Sequence, residues 1–365
     1  MFNIRRICHS KPIALAFVLI AAVFSATNAP AQPLEQLTIA LARNTISPAE
    51  EIFTIAVPKH LGYFQAENLN ISIIKTNGSM AALQAVASGN ADIGYASSTT
   101  IAAAIEQGMP LVAFAGITVK WPYHIAVPEG SPIQTIAQLR GKRIGVISLA
   151  SASYADLKAN LRLAGLTEDD VTIIPVGAGI QAAMALRNRQ VDAIDTYSDA
   201  FIQMRQNGIA LTLLPRPEAM EQLFSVTMVT RASALQQHPD KLTRFARAAY
   251  QGIIYTQLYP DSALAWGFKE FPELAGSDDP AGQDALNTKE TMLTALGDSI
   301  PADHSDPHTW GQWLNIGPER WQALLDFAYE TGQTQTHMNA TQVWNGSLMD
   351  NIYNFDSSLI QERNP

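Results

Sequence analysis

The sequence predicts an α/β chain of two similar lobes, each built on a mostly parallel sheet, with a helical C-terminal extension packed on the first lobe. Three observations predict it. A strand-helix-strand-helix-strand order runs from Leu37 to Ala96 and recurs from Arg143 onward. Within that echo, Gln84 to Ile93 lies against Met184 to Ala193 with Asp92 and Asp192 in register. From Ser233 onward, apolar residues follow helical spacing, clearest in Leu242 to Leu258 and Trp321 to Tyr329.

At the amino end, Arg5, Arg6 and Lys11 precede the apolar run Ile13 to Phe24, and small residues follow, ending Ala29-Pro30-Ala31. This is the pattern of a secretory signal peptide, cut after Ala31 to leave a mature periplasmic chain. The run is shorter than the roughly 20 residues that span a bilayer. Cys8, the single cysteine, precedes the run and leaves with it, so the mature chain has no disulfide, thiol nucleophile or cysteine metal site.

The first lobe reads as strand Leu37 to Leu41, helix Pro48 to Leu61 capped by Ser47, strand Leu69 to Lys75, helix Met80 to Ser88 and strand Ile93 to Ala96. Gly89 stops the second helix. The second lobe repeats this with strand Arg143 to Ile147, helix Ser153 to Ala164, strand Val171 to Val176 and a helix after Gly177-Ala178-Gly179. The proline-bounded strand Lys120 to Pro128 carries the chain out, and Phe224 to Thr230 carries it back. The expected division is residues 1–31 signal peptide, 32–124 lobe 1, 125–225 lobe 2 and 226–365 the return to lobe 1. Hinges are expected at Trp121 to Val127 and Phe224 to Thr230.

Without Arg5, Arg6 and Lys11 the net charge is about −12. Such a surface repels nucleic acid, and no basic run is interleaved with aromatics. With 47% hydrophobic and 16% charged residues the chain is ordinary globular protein, long enough for two domains.

Parallel sheets bind ligands at the carboxyl ends of their strands. In the first lobe those ends carry Arg43, Asn44 and Thr45, then Gly78-Ser79, then Ser97, Ser98 and Thr99; in the second they carry Ser148 to Tyr154, Gly177 to Gly179 and Asp195 to Asp199. Ser79, Ser151, Ser153, Gly177 and Gly179 sit at helix starts, where free N–H groups favour an anion and where serines also act as plain caps. Ser97, Ser98 and Thr99 offer more hydroxyls than one cap requires. Arg43 suits a sulfonate, carboxylate or phosphate, or simple solvation. Trp121, Tyr123 and Tyr197 present aromatic faces to a ring or apolar tail, although Trp121 and Tyr123 also suit the core. Asp195 and Asp199 suit a ligand amino group or a helix cap.

Several segments carry a family likeness: His60 to Leu69 (HLGYFQAENL), Gln84 to Gly94, Leu139 to Val146 (LRGKRIGV), Val191-Asp192-Ala193, His238 to Leu242, and Pro318 to Gln322 with Asp326 to Gly332. In their order and spacing the chain resembles the nitrate, sulfonate and taurine solute-binding proteins of ABC transporters, with a lean toward the pyrimidine-precursor-binding (NMT1/THI5-like) branch. The resemblance implies a two-lobed type II periplasmic binding protein with two hinge crossovers. It implies capture of a small organic ligand, a sulfonate, taurine or nitrate-like anion or a pyrimidine or aromatic compound, by hinge closure. It further implies docking on a membrane permease, a monomeric state, no cofactor and no catalysis.

Rival readings are weaker. Gly177-Ala178-Gly179 with Asp195 imitates a dinucleotide fingerprint but falls in a later βα turn of an exported chain. A pyrimidine-precursor synthase or small dehydratase on the same fold is the alternative, and the synthase's cysteine-rich motif is absent. No G-x-S-x-G or H-E-x-x-H occurs, and His304, Asp306 and His308 read as a surface loop rather than a metal site.

Overall fold

A computed structural model describes residues 33–276, 282–302 and 306–363. The expected signal peptide lies outside the described residues. The strands are β1 (Glu35–Leu41), β2 (Leu69–Lys75), β3 (Ile93–Ser97), β4 (Leu111–Gly116), β5 (Tyr123–Pro128), β6 (Arg143–Val146), β7 (Thr172–Pro175), β8 (Ala193–Tyr197), β9 (Leu211–Leu213) and β10 (Val226–Arg231). They form two five-stranded sheets, ordered β2-β1-β3-β10-β4 and β7-β6-β8-β5-β9. The orders are the same once β10 is matched to β5. In each sheet the strand that arrives from the other side, β10 or β5, is the one antiparallel member. The first sheet with its helices is called lobe 1 and the second lobe 2.

The in-register aspartates explain the echo. Asp92 accepts the Thr38 N–H on Oδ2 at 2.8 Å and returns its own N–H to the Thr38 carbonyl at 2.8 Å. Asp192 does the same to Arg143, at 2.9 and 2.8 Å, and also holds the Arg143 guanidinium. Each side chain therefore fixes the register of a central parallel strand in its sheet. Both are structural residues at the amino ends of strands, far from the carboxyl ends where ligands bind.

The helices that matter are α1 (Val57–His60), α2 (Tyr63–Ala66), α3 (Ser79–Ala87), α4 (Ser98–Glu106), α5 (Ala152–Leu163), α6 (Ile180–Arg187), α7 (Ser198–Gln206), α8 (Ala232–Gln237), α9 (Pro239–Leu258), α10 (Pro260–Glu270), α11 (Gln283–Ser299) and α12 (Gly317–Glu330). One boundary differs from expectation. The helix anticipated from Pro48 starts at Glu50, and Ile52–Ala56 form a π turn before α1. The bulged turn presses the Phe53 carbonyl toward α9, where a Cβ on Gly252 would lie only 2.2 Å from it. Ser47 does not cap this helix, because its hydroxyl donates to Asp199 Oδ2 of lobe 2 at 3.1 Å.

Lobe 2 shows the pleat directly: Ile125 and Val127 of β5 join one core with Ile144, Val146 and Leu157, while Ala126 faces the other with Ile194, Leu186 and Phe201. The C-terminal helices extend the core of lobe 1, where fully buried Trp321 meets Phe224 edge-on with ring centroids 4.9 Å apart. Helix α11 reaches further. Its Asp298 carbonyl accepts the Val119 and Lys120 N–H groups at 2.8 and 3.3 Å, and its Glu290 pairs with Arg205 of α7 at 2.6 Å. No helix among the described residues is long and apolar enough to cross a membrane.

Candidate functional site

The carboxyl ends of the parallel strands of both lobes converge on one cavity of about 270 Å³. Lobe 1 lines it with Arg43, Asn44 and Thr45 after β1, Asn77 and Gly78 after β2, Ser79 at the start of α3, and Tyr95 and Ser97 on β3. Lobe 2 contributes Ser151 after β6, Gly177 after β7, Gln181 on α6 and Tyr197 at the end of β8, and Tyr123 of β5 closes the floor. The parallel-sheet rule thus holds twice, once per lobe.

The lobes also touch directly. Met80 donates its N–H to the Ala150 carbonyl at 3.4 Å and Ser148 Oγ donates to the Asn77 carbonyl at 3.3 Å. Gly78 lies between them with φ +114°, and a Cβ there would sit 2.7 Å from the Ala150 oxygen.

Arg43 is the centre of the site's electrostatics. Its guanidinium meets Glu50 at 2.9 Å, Glu51 at 3.5 Å and Asp199, from lobe 2, at 3.8 Å, and it lies over the Tyr197 ring 4.8 Å from the centroid. One cation facing three carboxylates cannot neutralise them all. Burial accordingly pushes Glu51 up to about 8 and Asp199 up to about 7, in each case against the pull of Arg43. Burial also raises the phenols of Tyr95, Tyr123 and Tyr197, so all three remain neutral hydrogen-bonding groups at neutral pH.

Of the residues anticipated from the sequence, Arg43, Asn44, Thr45, Ser79, Ser97, Tyr123, Ser151, Gly177 and Tyr197 line the cavity. The others do not line it. Ser98 Oγ donates to the Phe224 carbonyl at 2.7 Å, tying α4 to the returning crossover. Thr99 is buried in the first turn of α4. Ser153 accepts the Ile147 N–H at 3.0 Å, and Gly179 gives room to Gln203, whose Oε1 would lie 2.3 Å from a Cβ there. Trp121 donates Nε1–H to Asp156 at 2.6 Å. Asp195 is buried beside Asp156; burial first, and that second carboxyl next, hold it well above the ordinary range, while burial lifts Asp156 to about 6.

The helix-start serines are not caps either: Ser79 Oγ accepts the Ser97 N–H at 3.1 Å, tying α3 to β3, and Ser151 Oγ donates to the Ser148 carbonyl at 2.6 Å within its own loop. Sequence reasoning missed Glu50, Tyr95, Gln181 and Gln203, all of which line the cavity. Gln181 lies two residues after the glycine loop and was within reach of the strand-end rule. Glu50 was hidden by the misplaced helix start. Among the described residues no His, Asp and Glu cluster is arranged to hold a metal ion. His308 Nδ1 lies 3.0 Å from Ser357 Oγ, and His304 falls outside the described residues.

Comparisons with known proteins sharpen this. The model of the family described as NMT1/THI5 like matches residues 50–263. A riboflavin-binding protein, RibY, of Chloroflexus aurantiacus is 26% identical over 258 residues, 69% of this chain and 72% of the relative. A 4-amino-5-hydroxymethyl-2-methylpyrimidine phosphate synthase of Candida albicans is 24% identical over 71% of this chain and 78% of the relative. Among solved structures, the alkanesulfonate-binding protein SsuA from Xanthomonas axonopodis pv. citri bound to MOPS superposes with a TM-score of 0.62 at 18% identity, covering 85% of this chain and 98% of that one. At that identity the likeness shows the fold, that of the periplasmic binding proteins.

The synthase name recurs in further relatives at 21 to 23% identity. This corrects the expectation of a chain without catalysis, which leaned on export and on the missing cysteines. One relative is named for binding and others for synthesis, so neither argument excludes an enzyme. With the family model spanning more than half of it, the chain belongs to the NMT1/THI5-like family.

Proposed function

We propose that the chain captures a small planar nitrogen heterocycle, uncharged or cationic and bearing N–H donors, in the cleft between its lobes. The carrying observation is the state of Arg43: the one cation lining the cavity among the described residues is already shared by three carboxylates, and one of them, Glu50, faces the cavity. An anionic ligand entering there finds the guanidinium already paired and meets the Glu50 carboxylate. A ring with amino donors meets an acceptor carboxylate, neutral tyrosines and several hydroxyls. The naming of one relative for riboflavin supports the same choice, and the synthase name of others supports its planar, amino-bearing ring.

Closure by hinge motion fits the construction, since lining residues come from both lobes and gain full contact only when these meet. The strands β5 and β10 are locked in sheet ladders, so bending falls on the segments leading into them, 117–122 and 214–225. There the Ile117 and Thr118 N–H groups both donate to the Val226 carbonyl, at 2.9 and 3.0 Å. Export through the amino-terminal signal and delivery to a membrane permease of an ABC importer complete the reading.

A thermal-shift screen tests the ligand class. Riboflavin or 4-amino-5-hydroxymethyl-2-methylpyrimidine is expected to raise the melting temperature, and stabilisation by alkanesulfonates alone would overturn the proposal. Mass spectrometry of the incubated ligand then separates capture, which returns it unchanged, from catalysis, which does not.

A further inference from the structure

We propose that Asp199 is a positioning residue for lobe closure and that it takes up a proton as the lobes meet. This rests on the reading that the lobes close over the cleft, but on no particular ligand.

The geometry is specific. Asp199 sits in the first turn of α7 in lobe 2, and the residue is only 5% exposed, with groups of lobe 1 against its carboxylate. Ser47 donates to it at 3.1 Å and Arg43 approaches to 3.8 Å, both from the segment after β1. Those contacts cross between lobes, the Ser47 bond joining residues 152 positions apart, and exist only while the lobes touch.

Burial sets the sign, raising Asp199 against the pull of Arg43, and the other charged neighbours adjust it. From lobe 1, Arg43, Glu50 and Glu51 face Asp199; from its own strand end comes the neutral phenol of Tyr197; from α11 comes Asp298, itself raised to about 6 by burial, with Lys120 and Arg216 near it. Tyr123 adds a second neutral phenol on the floor, facing Arg43 and Glu50. In the open form Asp199 is hydrated and ionises in the ordinary carboxylate range. Closure strips its water and sets it beside Glu50, and the loss of water with that carboxylate outweighs the pull of Arg43. The closed form therefore binds a proton more tightly, with Asp199 lifted to about 7. Closure at this residue is unhindered below the ordinary range and grows harder as pH rises toward 7. Its equilibrium constant falls by up to about tenfold per pH unit over that window, then levels off.

Small-angle scattering of the purified chain without ligand, at pH 5, 6, 7 and 8, tests this. Wild type is expected to expand as pH rises, whereas Asp199→Asn, neutral throughout, should keep its pH 5 radius. Ser47→Ala retains the carboxyl but loses the donor that favours its ionised form, so it should match wild type at pH 5 and be more open at pH 8. A wild-type radius independent of pH, or an Asp199→Asn profile that follows wild type, overturns the proposal. Because no ligand is added, the result stands apart from the ligand screen: pH-dependent closure with no bound heterocycle would fail only the ligand reading, and the reverse would fail only this one.

Discussion

Arg43 shows how far a residue's neighbours decide its chemistry. A lone arginine after a strand suits an anion, but here three carboxylates share it, and one of them arrives from the other lobe. Gly78 makes the opposite point, because its role is what it lacks. At φ +114° and ψ 172° it holds a conformation that is essentially open to glycine alone, with the Ala150 oxygen 2.7 Å from where a Cβ would stand. Gly78→Ala is expected to cost roughly 1–3 kcal/mol of strain and to prop the lobes apart, weakening ligand binding more than it lowers the melting temperature. Calorimetry and thermal melts on the same preparation separate the two effects. The Asp156 and Asp195 pair behind the cleft gives a pH prediction. Both are raised when folded, so the stability they contribute is complete below the ordinary carboxylate range and is lost as pH rises through about 6, where Asp156 ionises, and beyond. Asp195→Asn should flatten the fall in melting temperature between pH 4 and 7, and an unchanged slope would refute the assignment.

At the scale of elements, strand ends were the most legible feature, because the switch from apolar strand to small polar loop is local in sequence. The aspartate echo was also visible, though its function, register locking, became clear only from the bonds to Thr38 and Arg143. The π turn at Ile52–Ala56 was not legible: it depends on α9 passing close by with Gly252 at the crossing, nearly two hundred residues along the chain. Ser47 was misread for a similar reason, since a cap and a cross-cleft donor look alike until Asp199 is placed. Helix α12 carries an element-scale prediction. Trp321 is fully buried between Phe224 and Trp344, so Trp321→Ala should cost about 3–5 kcal/mol and loosen the C-terminal helices from the returning crossover. Chemical denaturation monitored by tryptophan fluorescence measures it.

For the molecule as a whole, two sheets of the same strand order exchange one strand-bearing crossover each, and the cleft falls where their carboxyl ends face one another. That arrangement draws the cavity lining from both lobes in similar measure. Carriage and conversion of the proposed heterocycle alike require it to be gripped from both sides. The most direct test is therefore calorimetric titration of whichever ring compound, riboflavin or the aminopyrimidine, stabilises the chain more, into wild type, Tyr197→Ala of lobe 2 and Ser97→Ala of lobe 1. The expected result is a loss of about tenfold or more for Tyr197→Ala, and of about threefold to tenfold for Ser97→Ala, from one lost contact in each lobe. Unaltered affinity in either variant would contradict capture between the lobes.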